Sequence, residues 1–260
     1  MMPELDQPKP ASQSPSTDRA LDILEAMSHE PSGLTLSELV RATELPQNSV
    51  YRIANALLAR GYVHRRESDK RFTLSNRFFD LGRPKVNEKS LVVCSYEGLQ
   101  WLRDQTGETA QLMVRSGRHG VVLEQVAGLH PIQVSGAVGM RIPLYSCAPG
   151  KAILAHLPDN EFEGWLDSVT LKSFTPKTLS TSEVLVSDLK QTKQRGYAVD
   201  REEGLGGIHC IAAPILNSHA YPVASITVMA PVFRLPEAGF DDFGAKALAA
   251  ANMIRDRLLN

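Results

Sequence analysis

Apolar residues recur at helical spacing through the first third of the chain and at alternate positions farther on. Ala20, Leu21, Ile23, Leu24 and Met27 line one side of a helix expected over residues 18–27. Leu36, Leu39, Val40 and Thr43 line a second. Thr35 stands three residues before Glu38, the spacing at which a hydroxyl and a carboxylate cap a helix start reciprocally. Glu44-Leu45-Pro46 breaks that helix, because Pro46 cannot continue it. Val50, Ile53, Ala54, Leu57 and Leu58 form the buried stripe of a third helix over residues 47–60, with Gly61 just past its end. Residues 62–66 and 70–74 flank the turn-rich triplet Glu67-Ser68-Asp69, which predicts a hairpin.

A short linker helix over residues 75–82, ended by Gly82 and Pro84, leads to a long helix over residues 88–105 with Gly107 beyond it. The period then changes to two. Ala110, Leu112 and Val114 alternate with Gln111, Met113 and Arg115. A second strand starts at Val121, and Ile132 and Val134 open a third. Residues 208–215 and 223–229 form a late hairpin around Asn217-Ser218. Helices intervene near residues 150–156, 160–166 and 183–195, and a last one covers residues 240–258. Hairpin-linked strands with helices grouped between them predict an α+β domain with an antiparallel sheet.

Composition refines this picture. A chain of 260 residues holds one large or two modest domains, and 43% apolar residues with 6% aromatics predict ordinary, mostly aliphatic cores. Residues 1–16 are rich in Pro, Ser and Gln and read as a disordered tail. They lack the basic start and apolar run of a secretory signal. No stretch approaches the ~20 apolar residues of a membrane span, so a cytoplasmic protein without a membrane partner is expected. The formal net charge is −1, yet residues 41–77 carry eight Lys or Arg against three Asp or Glu. Such a local excess suits phosphate binding. Cys94, Cys147 and Cys210 are odd in number and widely spaced, which argues against a disulfide framework and suits a reducing compartment. Without a CxxC or HxxxH pair, neither a metal nor a cofactor is expected.

The third helix carries the first candidate chemistry. Gln47, Asn48, Ser49, Tyr51, Arg52 and Asn55 crowd the polar face near its N-terminal end, where the second helix of a helix-turn-helix meets base edges. Arg reads guanine, and Asn or Gln reads adenine. Ser49 and Tyr51 suit phosphates. With the hairpin, this is the layout of a winged-helix DNA reader. A basic helical module for protein interaction is the other reading. Arg19 points to a phosphate or is an ordinary surface arginine.

Two later constellations stand out. Residues 139–152 run through Pro149, a favourable first helical residue, to Gly150 and Lys151. A helix start of this kind attracts a carboxylate or phosphate, or is only a change from loop to helix. Residues 196–214 place the acidic, glycine-rich run Asp200 to Gly207 ahead of a strand bearing Cys210. The glycines permit positive φ, but no helix follows to make a dinucleotide loop. His209 beside Cys210 invites a thiol-nucleophile reading, although neighbours in a strand face opposite sides. A packing cysteine is the plainer reading.

Three motifs then carry a family resemblance. They are Leu45-Pro46-Gln47-Asn48-Ser49-Val50-Tyr51-Arg52 with Gly61-Tyr62-Val63, Arg141-Ile142-Pro143-Leu144 with Gly150-Lys151-Ala152, and residues 195–200 with Glu202-Glu203 and residues 210–214. In this order and spacing, over about residues 17–258, the chain resembles the IclR family of bacterial transcriptional regulators. The resemblance implies a winged helix-turn-helix over residues 17–74, a linker helix over 75–87, and a GAF-like antiparallel-sheet domain over 88–260 that binds an effector and oligomerises. It implies a homodimer or homotetramer on a palindromic double-stranded operator. The expected function is a repressor of a catabolic operon controlled by a small organic or aromatic acid, and not an enzyme. The alternatives are a thiol-dependent enzyme with a DNA-tethering domain, and a scaffold that binds no small molecule.

The DNA-contacting set is then Arg19, Thr35, Gln47, Asn48, Ser49, Tyr51, Arg52, Lys70 and Arg71. On the effector side, the resemblance makes Val134 and Ile142 apolar wall. It puts Ala148 and Pro149 where main-chain amides meet the acid group, although Pro149 has no N–H and shifts that task to Ala148 and Gly150. Asp200, Ile208 and Cys210 line the other side. Thr227 matches a hydroxyl position. Met229 replaces a second small hydroxyl, which predicts a smaller and less polar pocket. Tyr145 stands where histidine is common.

Overall fold

The structure is a computed structural model that describes residues 14–30, 32–75, 77–78, 85–86 and 89–260. The chain divides into two compact units, Met1–Arg83 and Pro84–Asn260. The expected tail lies outside the described residues up to residue 13. Most of the expected linker helix lies outside them as well.

In the first unit three helices precede a hairpin: α1 Pro15–Ser28, α2 Leu36–Thr43, α3 Gln47–Ala59, β1 Val63–Arg65 and β2 Phe72–Leu74. Helix α1 starts earlier than residue 18 because Pro15, at the first helical position, is pre-set for helical φ and Asp18 sits in the first turn. The Thr35–Glu38 capping box is complete in both directions. Glu44 ends α2 in the left-handed conformation, just ahead of Pro46. Gly61 turns the chain after α3 at φ +73°. Ile23, Met27, Leu39, Val50, Ala54, Val63 and Phe72 are buried together as one core. An isolated bridge between Leu34 and Phe72 extends the hairpin pairing, and Arg71 braces it.

In the second unit the two-residue strands β3 Lys85–Val86 and β4 Lys89–Ser90 pair ahead of α4 Leu91–Thr106. Then come β5 Thr109–Ser116, β6 His119–Val126, β7 Arg141–Pro143, a 3-10 turn Leu144–Ser146 and α5 Ala148–Leu154. They are followed by α6 Asp159–Asp167, α7 Ser182–Arg195, β8 Ala198–Arg201, β9 Ile208–Leu216, β10 Pro222–Pro231 and α8 Phe240–Leu259. The strands form one antiparallel sheet in the order β7-β6-β5-β10-β9-β8. The strand expected at Ile132 and Val134 is absent. Gly128, Pro131, Gly136 and Gly139 punctuate residues 127–140, and β7 takes the sheet edge instead.

Strand parity gives the sheet two different faces. Leu112, Ile211, Ala213, Ile226 and Val228 face α4 and α8 in an aliphatic core with Leu99, Leu102, Ala250 and Ile254. Each Leu, Ile or Val side chain there contributes about 1.5–3 kcal/mol by leaving water. Gln111, Thr227, Ala212 and Ala198 form a row on the opposite face, and Met229, Cys210 and Asp200 form the next. Helix α5 covers part of that face, with Ala148 and Ala152 against Ala198, Cys210 and Ala212.

Candidate functional site

Each unit carries a candidate site. On the first, Gln47, Asn48, Tyr51 and Arg52 are exposed along the N-terminal half of α3, and Tyr51 is 58% exposed. No bond ties the Gln47, Asn48 or Arg52 side chain to another described residue. Ser49 lies 3.5 Å from an exposed Arg19 guanidinium nitrogen, so the two sit side by side. Asn55 is half-buried, and its amide donates to Tyr51 O.

The remaining predicted contacts are otherwise engaged. The Thr35 hydroxyl is within the capping box. Arg71 donates to both Glu38 oxygens at 3.0 and 3.1 Å and to Gly33 O at 2.6 Å, which spends its fork inside the unit. Bonds from the Thr35 main-chain N–H and hydroxyl, then the charge of Arg71, hold the Glu38 carboxyl below its ordinary range. Lys70 pairs with Glu67 and Arg66 with Asp69 at the exposed hairpin turn. Three of the eight basic side chains of residues 41–77, Arg66, Lys70 and Arg71, are thus paired within the unit, and α3 keeps the free hydrogen-bonding face.

The second unit holds a cavity of about 270 Å³ against the sheet face opposite α4 and α8. Of the residues expected there, Val134, Ile142, Pro149, Asp200, Ile208, Cys210 and Met229 border it. Ala148 and Thr227 do not. Ala148 is packed beneath against β8 and β9, and the Thr227 hydroxyl donates inward to Ile211 O at 3.0 Å. Gly150, expected to supply an amide to the acid group, does not border the cavity either. Gln111, Ser146, Cys147 and Phe174 also border the cavity, and sequence reasoning did not place them there.

Three segments close around this space. Tyr145 is buried, and its hydroxyl both accepts from Lys172 N at 2.8 Å and donates to Lys172 O at 3.0 Å. This clasp sets the loop that puts Phe174 on the wall, and it gives Tyr145 a structural task. The loop in turn holds the third motif, since Thr175 and Thr178 donate to Glu202 O and Glu203 O. Of the glycines expected at positive φ there, only Gly207 adopts it, and Glu202 does so as well. Gly204 is needed for close approach instead: a Cβ there would lie 2.6 Å from Ser146 O.

Beneath the wall lies a buried charge cluster. Lys151 is fully buried, with its ammonium 2.7 and 2.6 Å from the two Glu203 oxygens and 3.0 Å from Asp188. Asp200 accepts the Glu203 N–H at 2.6 Å. Burial, and then the Glu203 charge, push the Asp200 carboxyl up to about 7. Burial likewise raises Glu203. The cavity thiols are held protonated: burial takes Cys147 to about 12 and Cys210 well above its ordinary value. His209 faces away from Cys210, donating to or accepting from nothing in the cavity; its Nδ1 meets Leu235 O and its ring meets Phe240 edge-on. A thiolate–imidazole pair therefore does not form here. Among the described residues no cluster of metal-ligating side chains occurs, and no helix is long and apolar enough to cross a membrane.

A helix-turn-helix with a free polar face, joined on one chain to a sheet with a ligand-sized cavity, defines a ligand-responsive DNA-binding regulator. Comparison with known proteins gives the lineage. The IclR helix-turn-helix domain model matches residues 16–67, and the model of the bacterial transcriptional regulator IclR C-terminal domain matches residues 86–256. The chain belongs to the IclR family of bacterial transcriptional regulators. It is 28% identical to the transcriptional repressor IclR of Escherichia coli (strain K12), over 92% of this chain and 88% of that protein. It is 33% identical to the HTH-type transcriptional regulator BhcR of Paracoccus denitrificans (strain Pd 1222), over 90% and 84%. The crystal structure of Thermotoga maritima IclR superposes with a TM-score of 0.74 at 29% identity, covering 94% of this chain and 98% of that one.

Proposed function

We propose that this protein is a cytoplasmic repressor of a catabolic operon, controlled by a small organic or aromatic acid bound in the cavity of the second unit. The observation that carries the reading is the cavity itself. Its wall is mostly apolar, at about 270 Å³ it suits a small metabolite, and it has few polar points. Arg141 and Asp200 are the charged residues bordering it among those described. Arg141, exposed at the edge strand, is the complement for an acid group. Repression is the sense carried by the name of the Escherichia coli relative.

The domain assignment belongs to the same reading: a winged reader over residues 17–74, a linker over 75–87 and a GAF-like effector domain over 88–260. One α3 offers a single short contact face, so operator specificity calls for a symmetric dimer or tetramer that places two such helices in successive major grooves. The effector acts by binding the operator-competent and operator-incompetent arrangements with different affinity.

Fluorescence anisotropy with the protein's own upstream region tests this. Binding at physiological salt should be at least a thousandfold tighter than to a random duplex and should shift with a small acid. Equal affinity for both duplexes would remove the operator reading. Specific binding indifferent to every small acid tried, with no ligand-induced thermal shift, would leave a reader without the proposed control.

A further inference from the structure

Gln111 sits in the middle of the sheet at 1% exposure and borders the cavity. Its amide orientation is dictated by a chain of bonds that starts at a backbone group. The Gly136 N–H donates to Gln125 Oε1 at 2.9 Å, so an oxygen must stand there. Gln125 Nε2 then donates to Ser135 Oγ at 2.8 Å, and that hydroxyl donates onward to Gly136 O at 3.2 Å. The same Gln125 Oε1 receives Gln111 Nε2 at 2.6 Å. Turning Gln111 over would set two oxygens face to face. Turning Gln125 over would set its amine against a main-chain N–H. A main-chain donor therefore fixes both amides.

The consequence falls on the other end of Gln111. Its Oε1 accepts no bond from any described residue. The sealed side-chain atoms without a hydrogen bond among the described residues belong to Asp188 and Glu203, both ion-paired with Lys151, and to Ser225, so Gln111 Oε1 opens onto the cavity. Once a ligand seals that oxygen from water, leaving it without a donor is costly, so it discriminates strongly between a ligand that satisfies it and one that does not. The neighbouring hydroxyl reinforces the bias. Ser146 spends its proton on Pro143 O at 3.2 Å and presents only lone pairs.

We propose that Gln111 is a specificity-determining residue whose Oε1 receives a hydroxyl of the effector, so that the cavity selects hydroxylated small acids over the same acids without the hydroxyl. Asp200 lies on β8, three strands from Gln111 on β5. Three strand spacings are roughly 14 Å between backbones. Both side chains stand on the same face of the sheet, and the cavity of about 270 Å³ that they border has room for a body the size of one ring or a short chain. The inference rests on the cavity being the effector site.

Isothermal titration calorimetry on the full chain tests it with matched acids: benzoate against 3- and 4-hydroxybenzoate, and propanoate against lactate and 3-hydroxypropanoate. The unaltered protein should bind at least one hydroxy acid about tenfold or more tighter than its parent. In Gln111→Met, which keeps the length and removes the acceptor, that ratio should fall to threefold or less. The unaltered protein needs no substitution to speak: binding with no preference for the hydroxyl overturns the role of Gln111 and leaves the cavity reading standing. A preference that survives in Gln111→Met overturns it as well. No binding by any of these acids overturns the acid-binding cavity and this inference together.

Discussion

The reader and the sensor handle charge in opposite ways. On the first unit the side chains of α3 that face outward are free, and the paired charges of the hairpin sit at the surface. On the second, the cavity wall rests on the buried Lys151, Glu203 and Asp200 and the half-buried Asp188: Lys151 pairs with Glu203 and Asp188, and Asp200 accepts the Glu203 N–H. A surface side chain can be removed with little effect on folding, whereas removing one member of a buried cluster strands the others. Function and stability are therefore separable in the reader and fused in the sensor.

The sharpest way to break this contrast is Lys151→Met. It leaves Glu203 and Asp188 without their cation and should destabilise the second unit by about 3–5 kcal/mol, read as a loss of denaturation midpoint. A variant as stable as the parent would mean that the cluster is not a structural hub. The next effect is a pH dependence. Asp200 has an ordinary value of 3.8 and is raised to about 7 in the fold, mainly by burial and then by Glu203. The native state thus binds more protons than the unfolded one between those values. Its stability is fullest below pH 4 as far as this group is concerned, and it is lost as pH rises through 7. Asp200→Asn still accepts the Glu203 N–H and should remove on the order of a few kcal/mol of that fall, seen by comparing melts at pH 5 and pH 8. An unchanged slope would mean that Asp200 is ionised throughout.

In the reader the expected pattern reverses. Arg52→Ala should weaken operator binding by about 10–100-fold and leave the melting curve within about 0.5 kcal/mol of the parent. Undiminished binding would take Arg52 off the contact face. The smallest effect is Thr35→Ala, which removes one side of the capping box and should cost about 1 kcal/mol. Because Glu38 also anchors Arg71, that variant should loosen the hairpin as well, visible as faster amide exchange at Phe72.

The reader was largely legible in the sequence because its signals are local. Thr35 and Glu38, Pro46 and Gly61 each act on a neighbouring turn of chain, and the structure uses all four as their chemistry implies. The second unit was legible in its elements and less so in its site. Alternation along β5 separated Gln111 from Ala110 and Leu112, but in a sheet covered on both sides the polar set does not face water. It faces the cavity, and only β6, β10 and the loop at Gly136 show that. Thr227 has the right parity and the wrong depth, since its hydroxyl is spent on the adjacent strand. Phe174 could not be placed at all, because its position depends on a clasp formed by Tyr145, distant in sequence.

Gly204 and Ser146 meet backbone to backbone, with no side chain between them. Two arms of the cavity are thus joined by a seam that contains nothing to vary. A mutation cannot soften this seam by small steps; it either leaves the seam alone or forces the arms apart. Drift in ligand preference is thereby channelled to neighbours such as Phe174, Leu205 and Met229, whose side chains border the space without holding the frame together. The frame stays constant while the chemistry inside it is free to change.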